Sequence, residues 1–155
     1  MAKPSRNTNP RDIQEGSRTF FISSHAVDHP LQTERMANLF IDVLRDYAAA
    51  KKFTMNDFVV MPDHFHLTIT LNGTMTVEKA LQLIKGNFSY RAKKELGFQR
   101  EIWQPGFSDE RIWDRQSFLA HRKYIDENPV KAGLARTAEE YPYCSAFFRK
   151  KKNGG

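Results

Sequence analysis

The stretch Phe58–Leu71 (FVVMPDHFHLTITL) constrains the fold of this chain more than any other. Two apolar, β-branched runs are separated only by Pro62-Asp63, so the chain reverses there into an antiparallel hairpin. Successive side chains of a strand alternate between faces. His64 and His66 therefore share one face, and Phe65 takes the other. Two imidazoles side by side at the start of a strand are candidate metal ligands. Taken alone, a pair of surface or hydrogen-bonded histidines explains the pattern at least as well.

The remaining elements fall around this hairpin. Arg18–Ser24 (RTFFISS) reads as a first strand, rich in β-formers. Pro30 and Thr33 open a helix in which Met36, Leu39, Phe40, Val43, Leu44 and Tyr47 recur at helical spacing. Residues 53–61 and 64–71 are the second and third strands. Asn72-Gly73 breaks the third strand, and Thr76 can cap a second helix. That helix has an apolar stripe of Val77, Ala80, Leu81, Ile84, Phe88 and Ala92, and Gly97 is placed to end it. A fourth strand is expected over 108–113. A third helix is expected over 117–127, closed at Asn128-Pro129 because the residue before proline avoids helical geometry. Tyr141 to Phe148 is an aromatic segment that packs back on the body.

The order β-α-β-β-α-β-α predicts an α+β fold, a ferredoxin-like or RRM-like βαββαβ sheet with an additional C-terminal helix. Two helices would cover one face and leave the other to the third helix or a substrate. The domain is expected over 17–148, between a mobile N-terminal arm (1–16) and a basic mobile tail (149–155).

With 155 residues, one domain with a real core is expected. The 24 Lys and Arg against 18 Asp and Glu give a formal charge of +6, which favours a polyanionic partner, nucleic acid first. The single cysteine, Cys144, excludes an internal disulfide framework and a cysteine-rich zinc site. No apolar run approaches the ~20 residues of a membrane helix, and the polar N-terminus lacks a signal-peptide core. The sequence predicts a soluble, cytoplasmic protein with no membrane partner.

Chemistry enters with the third helix. Phe118, Leu119, Arg122 and Ile125 lie on one side of it. Ser117, Ala120, His121, Tyr124 and Asn128 lie along another, at steps of three and four. If this mixed stripe faces His64 and His66, a metal, a phenol and an amide oxygen meet. That set suits phosphodiester chemistry: a metal draws charge from a phosphate oxygen, and a phenol attacks phosphorus and becomes covalently attached.

Four segments, in order, carry a family resemblance. Residues 61–67 (MPDHFHL) resemble the HUH motif, two histidines around a hydrophobic residue. Residues 103–109 (WQPGFSD) resemble the tryptophan-glutamine segment of the same family, 124–134 (YIDENPVKAGL) its tyrosine helix and following turn, and 141–145 (YPYCS) its closing aromatic segment. The family is the REP-associated tyrosine transposases, relatives of small insertion-sequence transposases with one catalytic tyrosine. The resemblance implies a metal-dependent single-stranded DNA endonuclease and strand transferase. Such an enzyme cleaves and rejoins DNA at hairpin-forming palindromic repeats through a 5′-phosphotyrosine intermediate. Carried over by position, Tyr124 is the nucleophile, His64 and His66 are metal ligands, and Asn128 matches the third ligand. The implied metal is Mg²⁺ or Mn²⁺, the implied partner a DNA hairpin, and both monomer and homodimer stay open.

His121, one turn before Tyr124, is a candidate for assisting proton transfer or contacting phosphate. Lys85, Arg91, Lys94 and Arg111 are candidate DNA contacts, although a solvated surface explains such charges more simply. Trp103 and Trp113 read as core or loop anchors before base-stacking platforms. His25 and His29 fall in a loop after the first strand and receive no assignment. Two rival readings stay open: a non-catalytic single-stranded nucleic-acid binder on the same framework, and a phosphodiesterase that activates water instead of a tyrosine.

Overall fold

A computed structural model describes residues 16–153. Four strands, β1 (Ser17–His25), β2 (Thr54–Met61), β3 (His64–Asn72) and β4 (Ser108–Ile112), form one antiparallel sheet in the order β2-β3-β1-β4. The helices are α1 (Glu34–Ala49), α2 (Val77–Leu96), α3 (Arg115–Lys131) and α4 (Ser145–Asn153). This is the expected α+β arrangement. The hairpin closes where the sequence places it, with Met61 paired to His64.

Strand alternation sorts the sheet into two faces. Phe20 and Ile22 of β1, Phe58 and Val60 of β2, and Phe65, Leu67, Ile69 and Leu71 of β3 point into one core with the apolar stripes of α1 and α2. Trp103 completes that core, its ring 5.5 to 5.8 Å from the rings of Phe40, Phe65 and Phe88, and its Nε1 donates to the Lys85 carbonyl at 3.0 Å. Both helix starts are capped as their sequences suggest. The Thr33 hydroxyl accepts from Met36 N, and the Thr76 hydroxyl accepts from Lys79 N. Gly97 ends α2 with φ of +69°, a left-handed conformation that glycine adopts without a Cβ penalty.

The other face belongs to α3. Ile125 is buried against Val59, Met61, Tyr141, Cys144 and Ala146 in a second apolar cluster. The aromatic segment seals the outer edge of β2: Tyr141 OH donates to Val60 O, and Val60 N donates to Tyr143 O, both at 2.8 Å.

Toward the C-terminus, two boundaries differ from the sequence expectation. Helix α3 does not stop at Glu127; it runs through Asn128 and Pro129 to Lys131. A proline there removes one hydrogen bond close to the helix end, and its buried ring packs in return. The helix stops instead at Gly133, φ +76°, where Gly133 N donates to Val130 O and Leu134 N donates to Pro129 O, the paired bonds of a Schellman motif. The second difference concerns the expected basic tail. Residues 149–153 are the last turns of α4, and Arg149 is bonded to Asp57 and Asp126. The expected N-terminal arm lies, but for Gly16, outside the described residues. No helix among the described residues is long and apolar enough to cross a membrane.

Asp57 anchors the junction of β2, α3 and α4. It is fully buried beside a register shift in β2. Arg122 Nε from α3 lies 3.1 Å from both its oxygens, and Arg149 Nη1 from α4 lies 3.0 Å from one. Burial pushes the Asp57 carboxyl above its ordinary range, and the two guanidinium groups oppose that shift.

Candidate active site

The register of the two central strands builds the site. Across the β1–β3 ladder, Ser23 faces His66 and His25 faces His64. Phe21, Ser23 and His25 therefore share the α3 face with the histidine pair. The rings of His64 and His66 lie 4.9 Å apart.

Each histidine is held through Nδ1. Asp63 Oδ1 accepts from His64 Nδ1 at 2.7 Å, and Ser23 Oγ lies 2.6 Å from His66 Nδ1. Neither Nε2 has a hydrogen-bond partner among the described residues, so both remain available to a ligand. A protein group on one ring nitrogen that orients the other is the usual support of a metal-binding histidine. His66 is only 6% exposed. Burial, reinforced by the nearby His64 and His25, pushes its imidazolium down to about 3. It is neutral at physiological pH, as a ligand must be. Burial is the largest single influence on Asp63 and works against its ionisation, but the hydrogen bond and charge of His64, a backbone hydrogen bond and His29 together hold the carboxyl below its ordinary range.

Tyr124 stands over this pair. Its ring is 47% exposed and lies 5.2 Å from His66 and 5.9 Å from Phe21, edge-on to both. Phe21 is the floor, stacked 5.4 Å from His66 and tilted against His121 at 4.6 Å. His121 Nδ1 donates to the Ser117 carbonyl at 2.8 Å, and its Nε2 lies 3.5 Å from Glu110. Asn128 follows Tyr124 by one turn of α3 and is half-buried. Among the described residues, no three or more His, Cys, Asp or Glu side chains cluster with metal-binding geometry. The structure brings the two imidazoles together, and Asn128 lies one turn from Tyr124 on the same helix.

The four candidate DNA contacts sit elsewhere. Lys85 Nζ is tied to Ser24 Oγ and the carbonyls of Gln104 and Gly106, and burial pulls its pKa below the ordinary value. Arg91 pairs with Glu95 and Asp46, and Lys94 donates to Tyr90 OH. Arg111 is buried with its guanidinium 4.2 Å from the Trp113 ring. All four lie on the side of the sheet covered by α1 and α2, away from Tyr124.

His25, Ser23, Phe21, Asp63 and Glu110 join the site without having been singled out in the sequence. His25 ends β1 and stacks 5.2 Å from His64. Extending β1 by one residue would have put Phe21, Ser23 and His25 on one face. Only the pairing of β1 with β3 shows that this face is the histidine face.

An antiparallel α+β sheet presenting a histidine pair beneath an exposed tyrosine is the architecture of single-tyrosine DNA transposases. The family Transposase IS200 like matches residues 22–128, and this chain belongs to it. The REP-associated tyrosine transposase of Escherichia coli K12 is 30% identical over 124 residues, spanning 79% of this chain and 69% of that protein. A Haemophilus influenzae relative is 24% identical and spans 92% of this chain and 86% of its own length. The solved structure of a REP-associated tyrosine transposase bound to a REP hairpin superimposes with a TM-score of 0.68 at 28% identity, covering 88% of this chain and 81% of that one. A Deinococcus radiodurans crystal structure shares the fold at 18% identity, with a TM-score of 0.53 over 70% of this chain and 88% of that one. The chain is thus an enzyme of the tyrosine transposase kind, whose chemistry is DNA transesterification.

Proposed function

We propose that this chain cleaves and rejoins single-stranded DNA at hairpin-forming repeats, with Tyr124 as the nucleophile. The observation that carries the reading is the Tyr124 ring 5.2 Å from His66 within one chain. It supports a tyrosine that acts in its own subunit. The hairpin bound to the solved relative supports the same class of substrate here.

The Tyr124 phenol oxygen attacks phosphorus, the bond from phosphorus to the 3′ oxygen breaks, and that oxygen leaves as a hydroxyl after taking up a proton. The phenol proton passes to solvent or to a neighbouring base, for which His121 is the candidate. The 5′ phosphate stays on Tyr124, and the 3′ hydroxyl of another strand can reverse the step and join DNA. His64 Nε2, His66 Nε2 and the Asn128 amide oxygen would hold Mg²⁺ or Mn²⁺, which when bound supplies charge withdrawal from a phosphate oxygen. Asp63 and Ser23 hold the two rings in place, and burial keeps His66 neutral.

The test is incubation with a labelled single-stranded hairpin and Mn²⁺, read on a denaturing gel. A covalent adduct that disappears in Tyr124→Phe is expected. Binding without cleavage in the wild type would leave a nucleic-acid binder, and cleavage that survives Tyr124→Phe would require activated water.

A further inference from the structure

Beside Tyr124, Phe21, Glu110, Ala120, His121 and the tyrosine itself line a cleft of about 350 Å³. The sheet register fixes its place. Glu110 of β4 faces Phe21 of β1, and two residues further along β1, Ser23 faces His66. The cleft therefore opens one step along the sheet from the histidine pair, within reach of a nucleotide whose phosphate lies at Tyr124. Its floor and walls are aromatic, with Phe21 4.6 Å from His121 and 5.9 Å from Tyr124. Beside the His121 imidazole and the Tyr124 hydroxyl, its lining carries a carboxylate, Glu110, in an enzyme that must accept a polyanion. Glu110 repels phosphate, so the Glu110 side of the cleft does not suit the DNA backbone. A flat ring with N–H donors on its edge suits both the aromatic floor and the acceptor.

We propose that this cleft is a base pocket that takes one unpaired guanine next to the scissile phosphate. Guanine is the base whose free pairing edge offers two adjacent N–H donors, which a carboxylate can accept together. Adenine and cytosine each place a ring acceptor beside their amine, and thymine flanks its single N–H with two carbonyls. Glu110 sets specificity, and Phe21 supplies the stacking surface. The His121 contact at 3.5 Å takes one acceptor position of Glu110 Oε2 and leaves that oxygen its second. Its other oxygen has no hydrogen-bond partner among the described residues.

The inference rests on the transposase reading, and one experiment separates the two. Full-length Tyr124→Phe protein, which keeps the ring but does not cleave, is used to select from a pool of labelled DNA hairpins with randomised single-stranded flanks. Guanine is expected at one flank position, enriched over thymine by roughly tenfold or more. Adding Glu110→Gln should erase the preference at that position and leave the others. Ala120→Leu, which fills the cleft from an exposed helix position, should weaken binding of flanked hairpins and spare blunt ones. The pocket is overturned if Glu110→Gln selects the same flank as its parent, if no base is preferred, or if Ala120→Leu weakens flanked and blunt hairpins alike. Failure to bind any hairpin would overturn the transposase reading along with it.

Discussion

Ser23 Oγ lies 2.6 Å from His66 Nδ1, joining the two central strands at the point where the site begins. The contact fixes the His66 ring so that Nε2 is the free nitrogen. Removing such a support commonly lowers metal affinity or activity by ~10–100-fold. Ser23→Ala should therefore shift the Mn²⁺ concentration for half-maximal cleavage upward by about that factor. An unchanged metal titration would show that the ring is held by packing against Phe21 alone.

Metal removal should separate activity from folding. The histidine pair sits on the face opposite the main core, and neither histidine is a member of that core. Chelation should abolish cleavage without moving the melting temperature. His64→Ala should do the same, with a stability change below about 1 kcal/mol. A large fall in melting temperature on chelation would make the metal structural.

The main core makes a contrasting prediction. Leu39 and Ile84 are buried in the layer between helices and sheet. Leu39→Ala and Ile84→Ala should each destabilise by roughly 2–5 kcal/mol, read as a shifted denaturant midpoint with an unchanged slope.

These core positions were legible in the sequence because helix and strand periodicity is local. So was the placing of His64, His66 and Tyr124, since a strand step of two and a helix step of four set which residues share a face. The lost information is long-range. Nothing local shows that His25 pairs with His64, or that Ser23 meets His66, because strand register depends on which strands become neighbours. Lys85 looks like a free cation on a helix and is in fact tied to loop carbonyls. Pro129 reads as a helix stop because local preference does not know that its ring will be buried.

Alkaline pH should unfold the chain through the sealed edge of β2. Burial pushes the Tyr141 hydroxyl from 10.0 up to about 12 and the Cys144 thiol from 9.0 up to about 12. Both groups are neutral when protonated. The native state therefore holds its protons to higher pH, and the unfolded state releases them first. Their contribution is complete below pH 9 and is lost as pH rises toward 12, at roughly 1.4 kcal/mol per pH unit for each group. Urea denaturation at pH 8 and pH 10.5 measures it. Tyr141→Phe, although it loses the hydrogen bond to Val60, should show a shallower alkaline slope. Native Cys144 should also resist alkylation at pH 8.

Arg149 carries the last prediction, because it links the last helix to the helix that bears the nucleophile. It binds Asp57 of β2 and Asp126 of α3, and Asp57 also binds Arg122, two residues before Tyr124. Removing Arg149 leaves a fully buried carboxylate with one cation in place of two. Arg149→Ala should destabilise by roughly 1.5–3 kcal/mol, the range for hydrogen bonds to charged groups. Pairing it with Asp57→Asn should cost less than the sum of the single changes, since the second change removes the charge that the first exposes. Additive losses would show that Arg149 and Asp57 act independently. If α3 is held through this network, Arg149→Ala should also slow adduct formation at saturating DNA while leaving hairpin affinity unchanged. Equal losses in rate and affinity would assign Arg149 to DNA contact instead.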